Sequence, residues 1–452
     1  METQFNTSIW GDEGFSAILS MKSPAEILSI IARDTSPPLW NLTEHFAFQV
    51  FGTSEVVIRG LAFFYYLIAI FFIYKIGSHF WGRKTGILAA LLSFLNPFFF
   101  IYAFEGRMYS IMAAGVAASM YFFLKILRGE GSPKMMTKVG YVLATLMALY
   151  SHHFAIFALF VQGLWFLYEL ILGNRKVAVA LFKLFIFVGI GYIPWIIPLY
   201  NQTKMVGGGF WLGVPTPDDL KTLIYDYLAK GIQDLQFSIP VINLQLYDLA
   251  LYLIYATLVL RKWHKSIQKT LFMLTWFFIP IVLTWVVSQY FTSIFYNRYL
   301  LYAIPGAMLV IGSNTRKLSL IPIIGTLVLF LIIDGYYFTH PTKLPFKQLA
   351  AYVHQEEKPT DAFINWSGSA HHLWETKYYK INAPIYSSSE QDLPFFVGTA
   401  LMGPDDIIRE LPKAPRIGVI TSGPTEEVEL NGYELAEEKD FREAKVLWFE
   451  RE

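Results

Sequence analysis

For its first 340 residues the chain alternates long apolar runs with short polar breaks, and after that the rhythm changes. Apolar runs of the order needed to cross bilayer hydrocarbon as a helix, about 20 residues, lie at 57–77, 85–103, 108–127, 138–151, 153–172, 178–200, 241–260, 270–290, 299–314 and 318–337. They predict a polytopic α-helical membrane protein with about ten spans. Pro97, Pro194, Pro198, Pro280, Pro305 and Pro322 fall inside or at the ends of these runs and predict kinks, where neighbouring groups satisfy the freed backbone. Beyond residue 340 the pattern shortens. Leu349–Val353 reads as an amphipathic helix, Asp361–Trp366 as a strand and His372–Tyr379 as a helix. Ile417–Ile420 and Lys445–Phe449 read as further strands, separated by turn residues and acidic helices. Alternating short strands and helices predict a small soluble α/β domain. The expected division is an outer catalytic loop over 1–56, a bundle over 57–340 with a long outer loop at 201–240, and the α/β domain over 341–452.

Charge gives the bundle a direction. Of the 452 residues 54% are apolar and only 16% charged, which fits an integral membrane protein and no soluble class. Fourteen Lys and Arg residues crowd one set of short loops: Arg83 and Lys84; Lys125, Arg128, Lys134 and Lys138; Arg175 and Lys176; Arg261, Lys262, Lys265 and Lys269; Arg316 and Lys317. The positive-inside rule puts these in the cytoplasm. The opposite loops, 104–107, 151–153, 201–240 and 289–297, are then extracytoplasmic. With an even number of spans, so are residues 1–56 and the tail. The absence of cysteine excludes disulfides, thiolate metal sites and cysteine nucleophiles. A net charge of +1 gives no reason to invoke nucleic acid, and no Walker, GxGxxG or zinc pattern supports a nucleotide or a divalent metal.

The same count returns several ionisable residues to one outer rim: Asp12 and Glu13 before the first span, Glu105 and Arg107 at the start of another, and Arg298 at the head of a third. Such groups at a membrane are costly and usually functional. A sugar on a polyprenyl phosphate presents its anomeric carbon at the headgroup plane, with a leaving phosphate that needs a cation more than an acid. The acceptor hydroxyl needs a carboxylate base. Asp12 is the candidate base, against a reading as helix cap, and Glu13 its positioning neighbour. Arg107 and Arg298 are candidates for phosphate and Glu105 for sugar hydroxyls, against interfacial pairing and snorkelling. His152 and His153 fill a short outer turn and lack the i, i+4 spacing of a helical metal site; donor phosphate is their functional reading. Asp34, stiffened by Pro37-Pro38, contacts substrate or caps a turn. Arg59 is expected to pair with an acid such as Glu55. Gly207-Gly208-Gly209 with Phe210-Trp211 reads as a mobile flap or an interfacial anchor. His371 and His372 read as surface residues.

Four segments carry a resemblance. Trp10-Gly11-Asp12-Glu13-Gly14-Phe15-Ser16, Asp34-Thr35-Ser36-Pro37-Pro38-Leu39-Trp40, Glu105-Gly106-Arg107-Met108-Tyr109-Ser110 and Asn297-Arg298-Tyr299-Leu300-Leu301 resemble the family-39-type glycosyltransferases of the GT-C superfamily. That group includes protein O-mannosyltransferases and lipid A aminoarabinose transferases. The likeness runs over residues 8–340, and the tail is like that of bacterial members. It implies a multi-pass cell-membrane glycosyltransferase that takes a polyprenyl-phosphate-linked sugar to a lipid, glycan or protein acceptor among membrane lipids, with inversion. By the same likeness Asp12 and Glu13 are catalytic, while Glu105, Arg107, Tyr109, Arg298, His152, His153 and Asp34 bind substrate. The family places a helix before the Asp-Glu segment, whereas eleven residues precede Asp12 here; a start lying downstream of that helix is the expectation. Two other classes compete. A transporter or flippase would carry its charges midway through spans and in an internal repeat, and a noncatalytic lipid-binding scaffold would not depend on Asp12.

The topology has a direct check in this cysteine-free chain. Single cysteines at Gly208 and Ser388 are expected to react with an impermeant thiol reagent on intact cells, and one at Ser266 only after the membrane is opened. The reverse pattern would invert every placement above.

Overall fold

The computed structural model describes residues 2–129, 133–231, 245–261, 267–388 and 393–452. Lys262, Lys265, Ser266, the start of the run at 241–260 and the end of the loop at 201–240 lie outside them. The chain folds as two compact units. One comprises Met1–Thr35, Asn41–Arg59 and His340–Glu452, the other Ser36–Trp40 and Gly60–Thr339.

The segment expected as an outer loop is helical instead: α1 (Gly11–Ser20), α2 (Pro24–Ile31) and α3 (Leu39–Phe51). Ser23 and Glu26 form a reciprocal capping box at the start of α2 with Pro24 at its first position, a start signal that needs no apolar run. The helices that follow are α4 (Glu55–Trp81), α5 (Arg83–Phe94), α6 (Pro97–Ile101), α7 (Tyr109–Leu127), α8 (Met135–Ser151), α9 (Ala155–Ile171), α10 (Arg175–Tyr192), α11 (Ile196–Gly207), α12 (Pro217–Tyr225), α13 (Leu246–Val259), α14 (Ile267–Tyr290), α15 (Ile304–Gly312) and α16 (Lys317–Thr339). Within the described residues each apolar run thus coincides with helix. Among the described residues, α4, α7, the continuous Arg175–Gly207, α14 and α16 are long and apolar enough to cross a membrane. A sixth arises if α5 and Pro97–Phe104, bent by 62°, form one broken span. The expected count of about ten is not confirmed, because the remaining apolar helices, such as α9 and α13, are short. Part of the expected 201–240 loop is helix too, with Thr216 and Asp219 making a capping box on α12.

The bend at α5–α6 is local chemistry: Pro97 cannot continue the ladder, and Asn96 Oδ1 accepts the Phe99 amide at 3.0 Å to begin a new turn. Helix α7 lies at the centre of its unit, with nearly every side chain from Tyr109 to Met120 buried. Small residues permit this. A Cβ on Gly115 would meet the Ala148 amide nitrogen of α8 at 2.7 Å, so only glycine allows that approach.

In the other unit, α17 (Phe346–Glu356) and α18 (His372–Tyr378) flank a six-stranded sheet ordered β3-β2-β1-β4-β6-β5. Its strands are β1 (Ala362–Trp366), β2 (Ile385–Tyr386), β3 (Ile407–Ile408), β4 (Arg416–Thr421), β5 (Tyr433–Phe441) and β6 (Ala444–Arg451). Strands β1 to β4 pair parallel to one another, and β6 runs antiparallel to both β4 and β5. Period-two alternation sorts the core. Phe363, Ile420, Val446 and Trp448 face α17 residues Phe346, Leu349 and Val353, while Ile364, Val419, Leu447 and Phe449 form the opposite layer. The acidic segment expected as helix is β5, an exposed edge strand whose charges blunt a free sheet edge.

Helix α1 belongs to this unit and is fixed at both ends. At its start Glu13, fully buried, takes the guanidinium of fully buried Arg59 through Nε at 3.2 Å and Nη2 at 2.8 Å, with Lys343 Nζ at 2.9 Å. Arg59 also donates to the Thr7 and Ser8 carbonyls at 2.5 and 2.6 Å. The expected Arg59–Glu55 pair does not form: Glu55 takes Tyr379 Oη at 3.0 Å and Lys347 instead. At the far end Ser20 Oγ donates to Glu44 Oε2 at 2.7 Å. Gly14 sits against α18, where a Cβ would lie 2.9 Å from the Trp374 backbone.

Burial would push the Glu13 carboxyl up, but the charges and hydrogen bonds of Arg59 and Lys343 outweigh it and hold it down at about 2 from an ordinary 4.5. A folded value below the unfolded one adds stability that is complete above about 4.5 and disappears as pH falls through about 2. Glu13→Gln should therefore abolish the loss of thermal stability that wild type shows in that acid window. At neutral pH it should cost about 3–5 kcal/mol by stranding Arg59. Equal melting temperatures for the two proteins from pH 7 to pH 3 would show that the pair holds nothing.

Candidate functional site

Asp12 and Glu13 are neighbours on the first turn of α1 with opposite surroundings. A helix turns about 100° per residue, so the buried face that takes Glu13 leaves Asp12 half-exposed. Glu13 is saturated by two cations, which makes it the anchor of the helix that presents Asp12. Asn41 Nδ2 supports the same helix from α3, donating to Ser16 O at 3.3 Å and Ser20 Oγ at 3.1 Å. Asp34, buried, lies in the turn after α2 with its amide on Ile31 O at 3.1 Å.

The second unit gathers most of the other residues singled out from the sequence. Glu105-Gly106-Arg107 is the tight link between the short helical turn Tyr102–Phe104 and α7, closed by the Arg107 amide on Glu105 O at 2.7 Å. Ser110 Oγ donates to Tyr102 O at 2.9 Å and holds the start of α7 to that turn. Arg298 sits in the turn Asn297–Tyr299, its guanidinium 5.7, 5.1 and 5.9 Å from the ring centres of Tyr109, Tyr296 and Tyr299. Three ring faces attract the cation. Tyr227 Oη donates to Asn297 O and steadies the turn.

His152 ends α8 with an extended backbone and packs its ring 4.9 Å from Tyr299 and 6.2 Å from Tyr109. Tyr302 Oη donates to Phe154 O at 2.8 Å, tying the histidine turn to the arginine segment. The Phe154 amide donates to His152 Nδ1 at 3.1 Å, so the neutral ring carries its proton on Nε2. Burial first, then His153, Arg107 and Arg298, push the His152 pKa well below its ordinary value, and the ring stays neutral at physiological pH. His153 Nε2 shares a hydrogen bond with Gln202 Oε1 at 2.7 Å. It is a link in a chain, since Gln202 Nε2 donates to Ser36 O at 3.2 Å.

Glu105, Tyr109, Arg298 and Tyr296 all lie within electrostatic reach of the Tyr102 hydroxyl, and Arg107 and Arg298 within that of His152. One cluster therefore holds two guanidiniums, one carboxylate and a neutral imidazole. That set suits a phosphate with a polar group beside it. Sequence reasoning missed the cage, although Tyr299 follows Arg298 directly and Tyr296 precedes it by two residues. Trp211, read from sequence as part of a flap or an anchor, stands its ring edge-on to Tyr296 at 5.0 Å. The flap that carries Trp211 is tethered, with Gln289 Nε2 on Pro215 O at 2.8 Å and Trp285 Nε1 on Thr216 O at 2.9 Å. Among the described residues no group of three His, Asp or Glu could hold a metal ion.

Residues 35–197 match the family described as dolichyl-phosphate-mannose-protein mannosyltransferase. No curated protein matches the sequence. The fold is similar to that of ArnT from Cupriavidus metallidurans bound to undecaprenyl phosphate, at a TM-score of 0.58 and 12% identity over 98% of this chain and 95% of that one. It is also similar to the Archaeoglobus fulgidus oligosaccharyltransferase in complex with zinc and sulfate, at a TM-score of 0.50 and 13% identity over 77% of this chain and 53% of that one. Helical spans, a small C-terminal sheet domain, the partial family match and these two likenesses agree on a GT-C-like fold.

Proposed function

We propose that the protein moves a sugar from a polyprenyl-phosphate donor to an acceptor hydroxyl at the outer membrane face. The observation that carries this is the cage of Tyr109, Tyr296 and Tyr299 around Arg298, beside Arg107 and neutral His152. The presence of undecaprenyl phosphate, itself a polyprenyl phosphate, in the ArnT structure supports the same donor class. Arg298 and Arg107 hold the phosphate, and His152 Nε2–H donates to it without adding charge. Glu105 takes sugar hydroxyls. As the acceptor oxygen bonds the anomeric carbon, the bond to the phosphate oxygen breaks on the opposite face, inverting the centre. The phosphate leaves already anionic and needs no proton. Asp12 takes the acceptor proton, Glu13 holds Asp12 in place, and Asp34 supports the turn behind α2. The charge pattern of the loops supports action at the outer face.

Asp12→Asn removes only the base. Sugar transfer by the purified protein should fall by about 10²–10⁴-fold while donor lipid still binds. Near-normal turnover would sink the role and favour a flippase or scaffold.

Arg298→Ala and Arg107→Ala should each weaken donor binding more than acceptor binding. At Arg298 lysine should restore little, because an ammonium lacks the flat face that stacks in the cage. Donor affinity equal to wild type in both alanine variants, by titration calorimetry, would exclude the arginines as phosphate ligands.

A further inference from the structure

His372, read from sequence as a surface residue, is buried, and its two ring nitrogens are both engaged. Nδ1 lies 2.6 Å from Glu375 Oε2, three residues on along α18, and Nε2 lies 2.9 Å from Ser422 Oγ. Glu375 is buried, and its carboxylate also takes the Gly11 amide. Ser422 is exposed. A carboxylate on Nδ1 fixes the proton there, which leaves Nε2 as acceptor and Ser422 Oγ–H as donor. An exposed hydroxyl, a buried imidazole and a buried carboxylate in that order is the hydrogen-bond relay of an activated serine nucleophile.

Its place in the fold is a second, independent observation. Ser422 follows β4, and His372 opens the helix after β1. Strands β1 and β4 are parallel neighbours, and the chain leaves β1 for β2 on one side and places β4 on the other. The relay therefore stands at the carboxyl ends of two strands where the strand order reverses, the position where open α/β sheets bind ligands. None of the three residues is used in the sugar transfer proposed above.

We propose that Ser422, His372 and Glu375 form an acyl-ester hydrolase site on the C-terminal domain. Ser422 Oγ bonds the ester carbonyl carbon as its proton passes to His372 Nε2. The bond to the alcohol oxygen then breaks, and the alcohol leaves with that proton. Water attacks the acyl-serine, gives a proton to Nε2, and releases the acid as the proton returns to Ser422 Oγ. Glu375 stabilises the imidazolium in both halves. The Gly423 amide is turned back onto Thr421 Oγ1 at 3.0 Å, so the donor for the oxyanion is the Ser369 hydroxyl, 3.3 Å from Ser422 Oγ. The rim of Ser369 and Gly423, both half-exposed, is polar and small, which suits a short acyl group such as acetyl on a sugar or lipid alcohol.

The test uses the full chain in detergent, with p-nitrophenyl acetate and a fluorophosphonate as probes. Wild type should hydrolyse the ester and become labelled on the peptide that holds Ser422. Ser422→Ala, a change at an exposed position, should lose both while keeping the wild-type melting temperature. Glu375→Gln should lower hydrolysis by about 10²–10⁴-fold, and Ser369→Ala by about 10²–10³-fold. Folded wild type that neither hydrolyses nor labels, or labelling that survives in Ser422→Ala, would overturn the proposal. Glu375→Gln with full hydrolysis would show that the three residues do not act as a relay.

Discussion

A carboxylate and a guanidinium with no exposed surface, Glu13 and Arg59, meet across 46 residues of sequence. Two charges removed from water are tolerated only when geometry and extra hydrogen bonds compensate, and here they do. Glu13 receives Arg59 through two nitrogens and Lys343 through a third, and Arg59 spends its remaining donors on the Thr7 and Ser8 carbonyls. One ion cluster thus joins the start of the chain, the first turn of α1, the first turns of α4 and the approach to α17. Remove it and the turn that carries Asp12 has no fixed register.

The contrast between Asp12 and Glu13 follows from that cluster. Both are acids at a helix N-terminus, where negative charge is favoured, and nothing in their chemistry separates them. Their surroundings do. Glu13 is committed to two cations and held ionised far below ordinary pH, so it has no useful proton affinity near neutrality. Asp12 keeps part of its surface exposed, and a base must be reachable by the proton it takes.

Legibility in the sequence tracked how local each signal is. Apolar runs were read as helices because each is decided within its own 20 residues, and β1, β4 and β6 because alternation needs only five or six. The N-terminal segment was read as a loop because α1 to α3 are short and capped rather than long and apolar. The acidic stretch between the last two strands read from sequence reads as helix by composition; pairing with β6 makes Tyr433–Phe441 an edge strand instead. Arg59 found Glu13 rather than nearby Glu55 for the same reason. His372 gave no local hint of Ser422, which is 50 residues away. The structure brings Glu105, Arg107, Tyr109, His152 and Arg298 into one cluster, a gathering that the alternation of apolar runs and polar breaks suggests because it carries long-range information in a local pattern.

Within that cluster neutrality matters as much as charge. A third cation beside Arg107 and Arg298 would repel both, and burial already disfavours a protonated ring. His152 therefore remains a neutral donor, its tautomer set by the Phe154 amide. The tyrosine faces act in the same sense. They hold Arg298 by quadrupole attraction and bring no charge of their own, so they add nothing that would repel an anion approaching the guanidinium.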